Sequence, residues 1–525
     1  MPKKTWASAA IFTVMVCILN ADVLNFISTV TKMLGDYTFP LDDSYIHLAI
    51  SRNLSEHGVW GITRHEFSST SSSPLFTVFI AILIKIFGNY DLIPVYFNLI
   101  AGNLLLLIFF MNFKNKPVQL LMIYLGFYFG VLLKIQIITG MEHVLHILLI
   151  SSCWIYFYRW FQTGFTHRKF QAAFLFTAAL ISLARYESMF FIMPVILFLI
   201  IHKRYAYAIT AFVMAFLPIV IFGMYSISNG GHFFPNSLLV KGQHSLSLGG
   251  LYHSLVYAKD FILSDFYIYL IVMILVLLLN NYTINFRNYA AVAKEMYSTK
   301  LIYGIIFCAL IAHLVFAKTG WLYRYDAYLI GLLIISIATA YGQIDSRKLN
   351  MSVVATAILM LFFTTTALRK RYIAAEYISL YATKNIHDQQ IQMARFIHQY
   401  FNTSVITAND IGAVSYFSDI RLHDLVGLGS TDVLNRKMSD ANIYTNYITN
   451  LNYDLMIVYD RWFSNIPFTN RIKVAELTIT HNKICGDSKV SFYIPSNSSK
   501  KEYVYECLRK FKAQIPKDVM LTIYE

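Results

Sequence analysis

The run Pro74-Leu75-Phe76-Thr77-Val78-Phe79-Ile80-Ala81-Ile82-Leu83-Ile84-Lys85-Ile86-Phe87 decides how this chain is laid out. It is apolar almost throughout and begins with a proline, which favours the first turn of a helix. As a helix rising about 1.5 Å per residue it reaches roughly 21 Å, short of the ~30 Å hydrocarbon core of a bilayer. Whether it crosses a membrane sets the parity of every later segment.

The surrounding chain is built for lipid. Of its 525 residues, 57% are hydrophobic and 14% charged, with a mean hydropathy of +0.52. A soluble protein carries about 25% charged residues. Apolar spans fall at about 7–28, 92–111, 118–134, 143–160, 170–185, 188–202, 206–227, 263–281, 301–317, 325–342 and 351–368. These lengths suit about eleven transmembrane helices. The net charge of +14 is dispersed between the spans, as short cytoplasmic loops require, so topology explains it and no nucleic-acid partner is needed.

Basic residues then settle the parity. The links with Lys114 and Lys116, Arg168 and Lys169, Lys203 and Arg204, Arg287 with Lys294 and Lys300, and Arg347 with Lys348 all face the cytoplasm only if residues 74–87 do not cross. That segment reads as a re-entrant or interfacial helix. The same rule keeps Lys3 and Lys4 inside, makes 170–202 a hairpin with Arg185-Tyr186-Glu187 at its far tip, and puts everything after residue 369 outside. The N-terminus reads as an uncleaved signal anchor. The expected organisation is a membrane domain over 1–368, with an outer loop at 29–91, and an extracytoplasmic soluble α/β domain over 369–525. In that outer loop residues 44–57 read as an amphipathic surface helix with Ile46, Ala49, Ile50 and Leu54 on one stripe. Ser68 to Ser73 read as a polar turn, by composition alone a flexible linker. In the tail, a helix near 385–401 and strands at 404–408, 454–459 and 491–495 suggest the α/β fold.

Cys17, Cys153 and Cys308 lie in apolar runs, whereas Cys485 and Cys507 fall in the polar tail, where an oxidising compartment would let them pair. Acidic residues gather on the outer face. Of the 14 before residue 369, only Glu295 and Asp345 fall in cytoplasmic loops.

Asp42 and Asp43 stand out among them. An ionisable group near a bilayer points to function, although either is also suited to capping the helix that follows. A carboxylate pair there suits activation of an acceptor hydroxyl against a lipid-carried sugar, in one inverting displacement. Asp42 is the first candidate for the base. Asp43 takes a second role, orienting the acceptor or holding a divalent metal; no other cofactor is assigned. His47, one turn on, supports either or is a plain interfacial histidine. Phosphate partners must be cations on the outer face: Arg185, Lys241, Arg324 and, less strongly, Arg52. Each singly also suits a snorkelling side chain. Glu142 is a supporting group, a metal ligand, or an acid favoured by a helix N-terminus; Glu187 flanks Arg185. No glycine-rich phosphate loop, Ser-His-Asp arrangement or Asp-x-Asp element occurs, which argues against a nucleotide-sugar donor and an NTPase.

Taken together these stretches resemble the GT-C superfamily of polyprenyl-phosphate-dependent membrane glycosyltransferases. The carriers are Asp42-Asp43-Ser44-Tyr45-Ile46, Arg52-Asn53-Leu54, Ser71-Ser72-Ser73-Pro74-Leu75, Gly140-Met141-Glu142, Arg185-Tyr186-Glu187, Pro235-Asn236 with Lys241, Arg324-Tyr325, and Asp419 through Leu428. The chain is similar to bacterial members near the mycobacterial terminal arabinofuranosyltransferases, and more distantly to aminoarabinose transferases and protein mannosyltransferases. Tyr186 departs from the proline that relatives often carry there. The resemblance implies an acidic base in the first outer loop, juxtamembrane helices beside it, and a polyprenyl-phosphate-sugar donor entering from the bilayer. It adds Tyr325 to the substrate-binding residues. The acceptor is a glycan, lipid or protein, and the location a bacterial inner membrane. A transporter or flippase of lipid-linked glycans is the rival reading, and a non-catalytic envelope scaffold a third.

Overall fold

A computed structural model of the chain describes residues 3–241, 289–342, 351–467 and 469–525. Helix α1 (Lys3–Leu34) is followed by a short buried loop and by α2 (Asp43–His57). The serine-rich turn leads into α3 (Pro74–Phe87), where Ser73 caps the first turn by accepting from the Phe76 amide and Pro74 occupies the first position. The bundle continues through α4 (Ile93–Phe113), α5 (Pro117–Leu125), α6 (Leu133–Ile138), α7 (His143–Gln162), α8 (Arg168–Ala184), α9 (Met189–Ile201), α10 (Tyr205–Ser228) and α11 (Asn236–Lys241). It resumes in α12 (Tyr289–Phe316), α13 (Ala327–Tyr341) and α14 (Met351–Ile386).

Among the described residues, α1, α4, α7 and α10 are long and apolar enough to cross a membrane, and shorter apolar helices pack between them. Ile209, Phe212, Val213 and Ile221 of α10 stay exposed, as a lipid-facing surface does. The expected span at 263–281 lies outside the described residues, as does most of the 228–262 loop.

Three expectations for the membrane domain need correction. The apolar run at 118–134 is not one helix. Five residues after α5 form a wide turn at Gly126–Gly130, and Leu132 then adopts a left-handed backbone (φ 59°), because two glycines loosen the run. Helix α2 does not lie on a surface: Ser44 to Ser51 and Asn53 are buried except for Arg52, between α3 on one side and the C-terminal domain on the other. The serine turn is no flexible linker, since Ser68, Ser69, Thr70, Ser71 and Ser73 are buried and bonded into the loop.

Helix α14 runs unbroken through residue 369, so the boundary expected there falls inside a helix. It delivers the chain to α15 (Gln392–Tyr400) and a six-stranded mixed sheet. The strands are β1 (Val405–Ala408), β2 (Arg421–Asp424), β3 (Leu455–Val458), β4 (Arg471–Thr478), β5 (Lys489–Pro495) and β6 (Met520–Ile523), in the order β2-β1-β3-β5-β4-β6. β1 pairs parallel with β2 and β3; the other pairings are antiparallel. Helices α16 (Gly412–Phe417), α17 (Thr431–Ser439), α18 (Ala441–Thr449) and α19 (Lys501–Lys512) complete the domain. Cys485 and Cys507 are free thiols. Cys507 points into the core with Val504, Leu508 and Phe511, while Cys485 faces Gln390 at 3.4 Å, so the expected disulfide does not form.

Candidate active site

The two adjacent aspartates part company. Asp43, the first residue of α2, pairs with Arg324 (Oδ2–Nη2 2.5 Å), and its side chain is 30% exposed against 1% for the arginine. Arg324 also donates to the Tyr325 hydroxyl at 2.9 Å and lies 4.8 Å over the Tyr325 ring. Burial alone would lower the affinity of Arg324 for its proton; Tyr325 and Asp43 outweigh burial and hold it charged. The loop presenting Arg324 is strained. Trp321, Leu322 and Tyr323 are all left-handed (φ 48°, 57° and 58°), an arrangement costing about 1–2 kcal/mol per residue. The Asp326 carboxylate braces it by accepting from the Gly320 amide at 3.0 Å.

Asp42 faces the other way. Its two oxygens accept from the amides of Gly412 (2.7 Å) and Ala413 (2.9 Å), the first residues of α16. A side chain at Gly412 would strike this carboxylate, since a Cβ there would lie 2.7 Å from Oδ2. At the other end of α16, Arg52 donates to the carbonyls of Tyr416 and Ser415, the latter at 3.3 Å. An acid thus sits at the amino end and a base at the carboxyl end of one short helix, the arrangement its dipole favours. Arg52 is therefore not brought to the Asp43 pocket. Asp42, expected to be the base, is spent on backbone amides. Burial and the neighbouring Asp410 push its carboxyl up despite those amides.

Arg185 links the two halves of the site from the α8–α9 tip. It pairs with Glu142 and with both oxygens of Glu187 (2.5 and 3.2 Å), and stands 5.8 Å over the Tyr325 ring. Glu142 reaches His47 at 3.2 Å and accepts from Ser72 at 3.0 Å. Burial alone would raise Glu142; His47 and Arg185 outweigh it and keep the carboxyl well below its ordinary range. The turn bearing Glu142 is tied to α2 by Ser44, which donates to the Thr139 carbonyl at 2.6 Å. Tyr325, His47, Glu142, Glu187, Arg185 and Arg324 therefore form one continuous network with Asp43. The side chain of Lys241, at the end of α11, lies outside the described residues. No group of three His, Cys, Asp or Glu side chains suited to a metal occurs among the described residues.

Two spaces meet here. A small pocket of about 20 Å³ is lined by Asp43, His47, Thr70, Ser72, Ser237 and Leu428. An apolar groove of about 340 Å³ between α9, α10 and α12 opens beside it and shares Ser72 and Ser237. At the polar end of the groove stand Arg185, Tyr325 and Lys318, the last missed from sequence although it shares the Arg324 loop and so the same predicted face. Leu428 comes from the α/β domain. Its loop is wound on Asp424, which accepts from Val426 (2.8 Å) and Gly429 (2.6 Å), with Gly427 left-handed at the bend. Asn236 donates to the Leu428 carbonyl at 3.3 Å and closes the contact.

Residues 384–493 match a family described as a domain of unknown function, DUF8728. No curated protein sequence matches the chain. Among solved structures, the chain is similar to ArnT from Cupriavidus metallidurans bound to undecaprenyl phosphate, with a TM-score of 0.53 at 12% identity over 93% of this chain and 99% of that one. ArnT from the same organism in the apo state gives 0.52 at 13% identity, over 92% and 98%. At such identity the likeness speaks for the fold alone: this chain shares the architecture of ArnT, a polytopic helical membrane domain followed by an α/β domain.

Proposed function

We propose that the chain is an integral membrane glycosyltransferase that moves a sugar, with inversion, from a polyprenyl-phosphate donor to a hydroxyl of a glycan, lipid or protein acceptor. One observation carries this reading: an apolar groove with cations at its polar end runs into the pocket of a partly exposed carboxylate. The groove suits an isoprenoid tail; Lys318, Arg185 and Arg324 suit its phosphate. The undecaprenyl phosphate bound by ArnT, on the same fold, supports the choice of lipid.

Asp43 takes the role of base. The acceptor hydroxyl gives it a proton while its oxygen bonds to the anomeric carbon, and the bond from that carbon to the phosphate oxygen breaks, the electron pair leaving with polyprenyl phosphate. In the structure Arg324 occupies the Oδ2 atom that would take the proton. An arriving phosphate draws the guanidinium onto itself and leaves that oxygen open. Glu142, Glu187 and His47 are positioning residues that fix Arg185 and Ser72. At about 20 Å³ the pocket holds roughly one water, so a sugar enters only as the Leu428 loop and α11 part.

This reading places the protein in a bacterial cell membrane with Asp43 and the α/β domain on the extracytoplasmic side. Kinship with the terminal arabinofuranosyltransferases belongs to the same proposal and rests on the short motifs. Purified protein in micelles with labelled polyprenyl-phosphate sugars tests it. Release or transfer of sugar, lost in Asp43→Asn, is expected; movement of the lipid across liposomes without bond cleavage would instead make the chain a flippase.

A further inference from the structure

A second cavity lies outside the path proposed for sugar transfer. It holds about 1280 Å³, more than the ~300–1,000 Å³ of a small-molecule site. It lies on the far side of α2 from the Asp43 pocket. Tyr45 lines it, whereas Asp43, Ile46 and His47 line the pocket. Positions 43 and 45 are about 200° apart around a helix, so the two spaces occupy opposite faces of one element.

The cavity has two walls of different origin. Asp36, Tyr90, Asp91 and Tyr96 come from the membrane domain; Gln392, Arg395, His398 and Gln399 come from α15. Tyr90 is 65% and Tyr96 46% exposed. The Tyr416 hydroxyl donates to Asp91 at 2.7 Å and fixes that carboxylate at the rim. Exposed aromatic faces beside planar amide, carboxylate and guanidinium groups suit a ring with an apolar face and an edge of paired hydroxyls. The face stacks on the aromatic, and neighbouring hydroxyls bridge to the planar groups. A membrane-interface belt would also expose tyrosines, but it has no use for a facing wall of Arg395, His398 and Gln399.

Charge narrows the ligand. A polyanion meets Asp36 and Asp91 on one wall, and a polycation meets Arg395 on the other. A neutral polyol finds acceptors on the first and donors on the second. We propose that this interdomain cleft binds a neutral oligosaccharide several sugars long, at a site separate from the transfer chemistry.

The test uses the full chain in micelles with soluble oligosaccharides: maltoheptaose, mannotetraose and chitotetraose as neutral probes, tetragalacturonate and a chitosan tetramer as charged ones. Saturation-transfer NMR reads binding. At least one neutral probe is expected to bind, with affinity falling on the order of tenfold in Tyr90→Ala and in Arg395→Ala. Both positions are exposed, and insertion level is checked alongside. Binding should persist in Asp43→Asn, in which transfer is expected to fall, so this site and the catalytic assignment fail independently. Absence of binding by every neutral probe, binding undiminished in both cleft variants, or preference for either charged probe would overturn the proposal.

Discussion

At Asp43 the carboxylate meets a guanidinium and an opening, while at Asp42 it meets two backbone amides, and substitution separates the two environments. Asp43→Asn keeps the shape and removes the proton acceptor, so turnover should fall on the order of 10²–10⁴-fold in protein inserted to wild-type level. Asp42→Asn keeps one acceptor for one amide, so its larger effect should be on the docking of the α/β domain. Equal losses of turnover in both variants, with docking intact, would reverse the assignment. Lys318→Ala should raise KM for the donor more than it lowers kcat, since an exposed cation at the groove end contributes to binding before reaction. The sequence showed the acidic pair and its neighbourhood but not the different surroundings of its two members, because the amides that occupy Asp42 stand 370 and 371 residues away. For Arg52 the same holds: its partner carbonyls lie 363 and 364 residues on, and nothing local distinguishes it from a phosphate ligand.

Helix α16 is gripped at both ends by residues that flank or belong to α2, so these two elements move together. Arg52→Ala leaves two carbonyls without that partner and should weaken docking by about 1–2 kcal/mol, seen as faster proteolysis of the α/β domain in otherwise inserted protein. The grip also has a pH dependence. Burial and the neighbouring carboxylate raise Asp42, and burial raises Asp410, which accepts from Tyr459 at 2.6 Å and Gln390 at 2.8 Å. Raised carboxyls bind protons more tightly folded than unfolded. Their contribution to stability is therefore full below the unfolded range, about pH 4, and is lost as pH rises through the folded values. The thermal midpoint should thus fall from about pH 6 to about pH 9 in the wild type, and fall less in Asp410→Asn, which removes the like charge. Strands β1, β3 and β5 were legible as apolar runs, and so were α8 and α9, the two helices joined through Arg185-Tyr186-Glu187. Strand β4 was not. Arg471, Lys473 and Glu476 interrupt its pattern, and their fit becomes clear only once Lys473 is seen bonded to Glu476 (2.7 Å) and Asp460 (3.1 Å). The break after α5 hid for the opposite reason, since an apolar run reads the same whether or not its helix is continuous.

Over the whole molecule, the layout follows from the single decision about α3, a 14-residue helix packed on α2, α4 and α8. With α3 not crossing, cysteine introduced at Asn89 should label from outside and at Asn115 only from the cytoplasm; labelling of Asn89 from the cytoplasm alone would invert every later segment. Hydropathy and charge reach the succession of apolar helices, because both respond to the bilayer, which acts along the full chain. They are silent about the α/β domain closing on the membrane domain, which depends on contacts such as Arg64 with Asp419 (2.5 Å) and Leu428 beside Asp43. The double grip on α16 carries a pharmacological consequence. A compound or antibody wedged between α16 and α2 need not resemble the sugar, the lipid or the acceptor. By shifting the one helix that begins with Asp43, it would act as a non-competitive inhibitor, and raising the donor concentration would not relieve it.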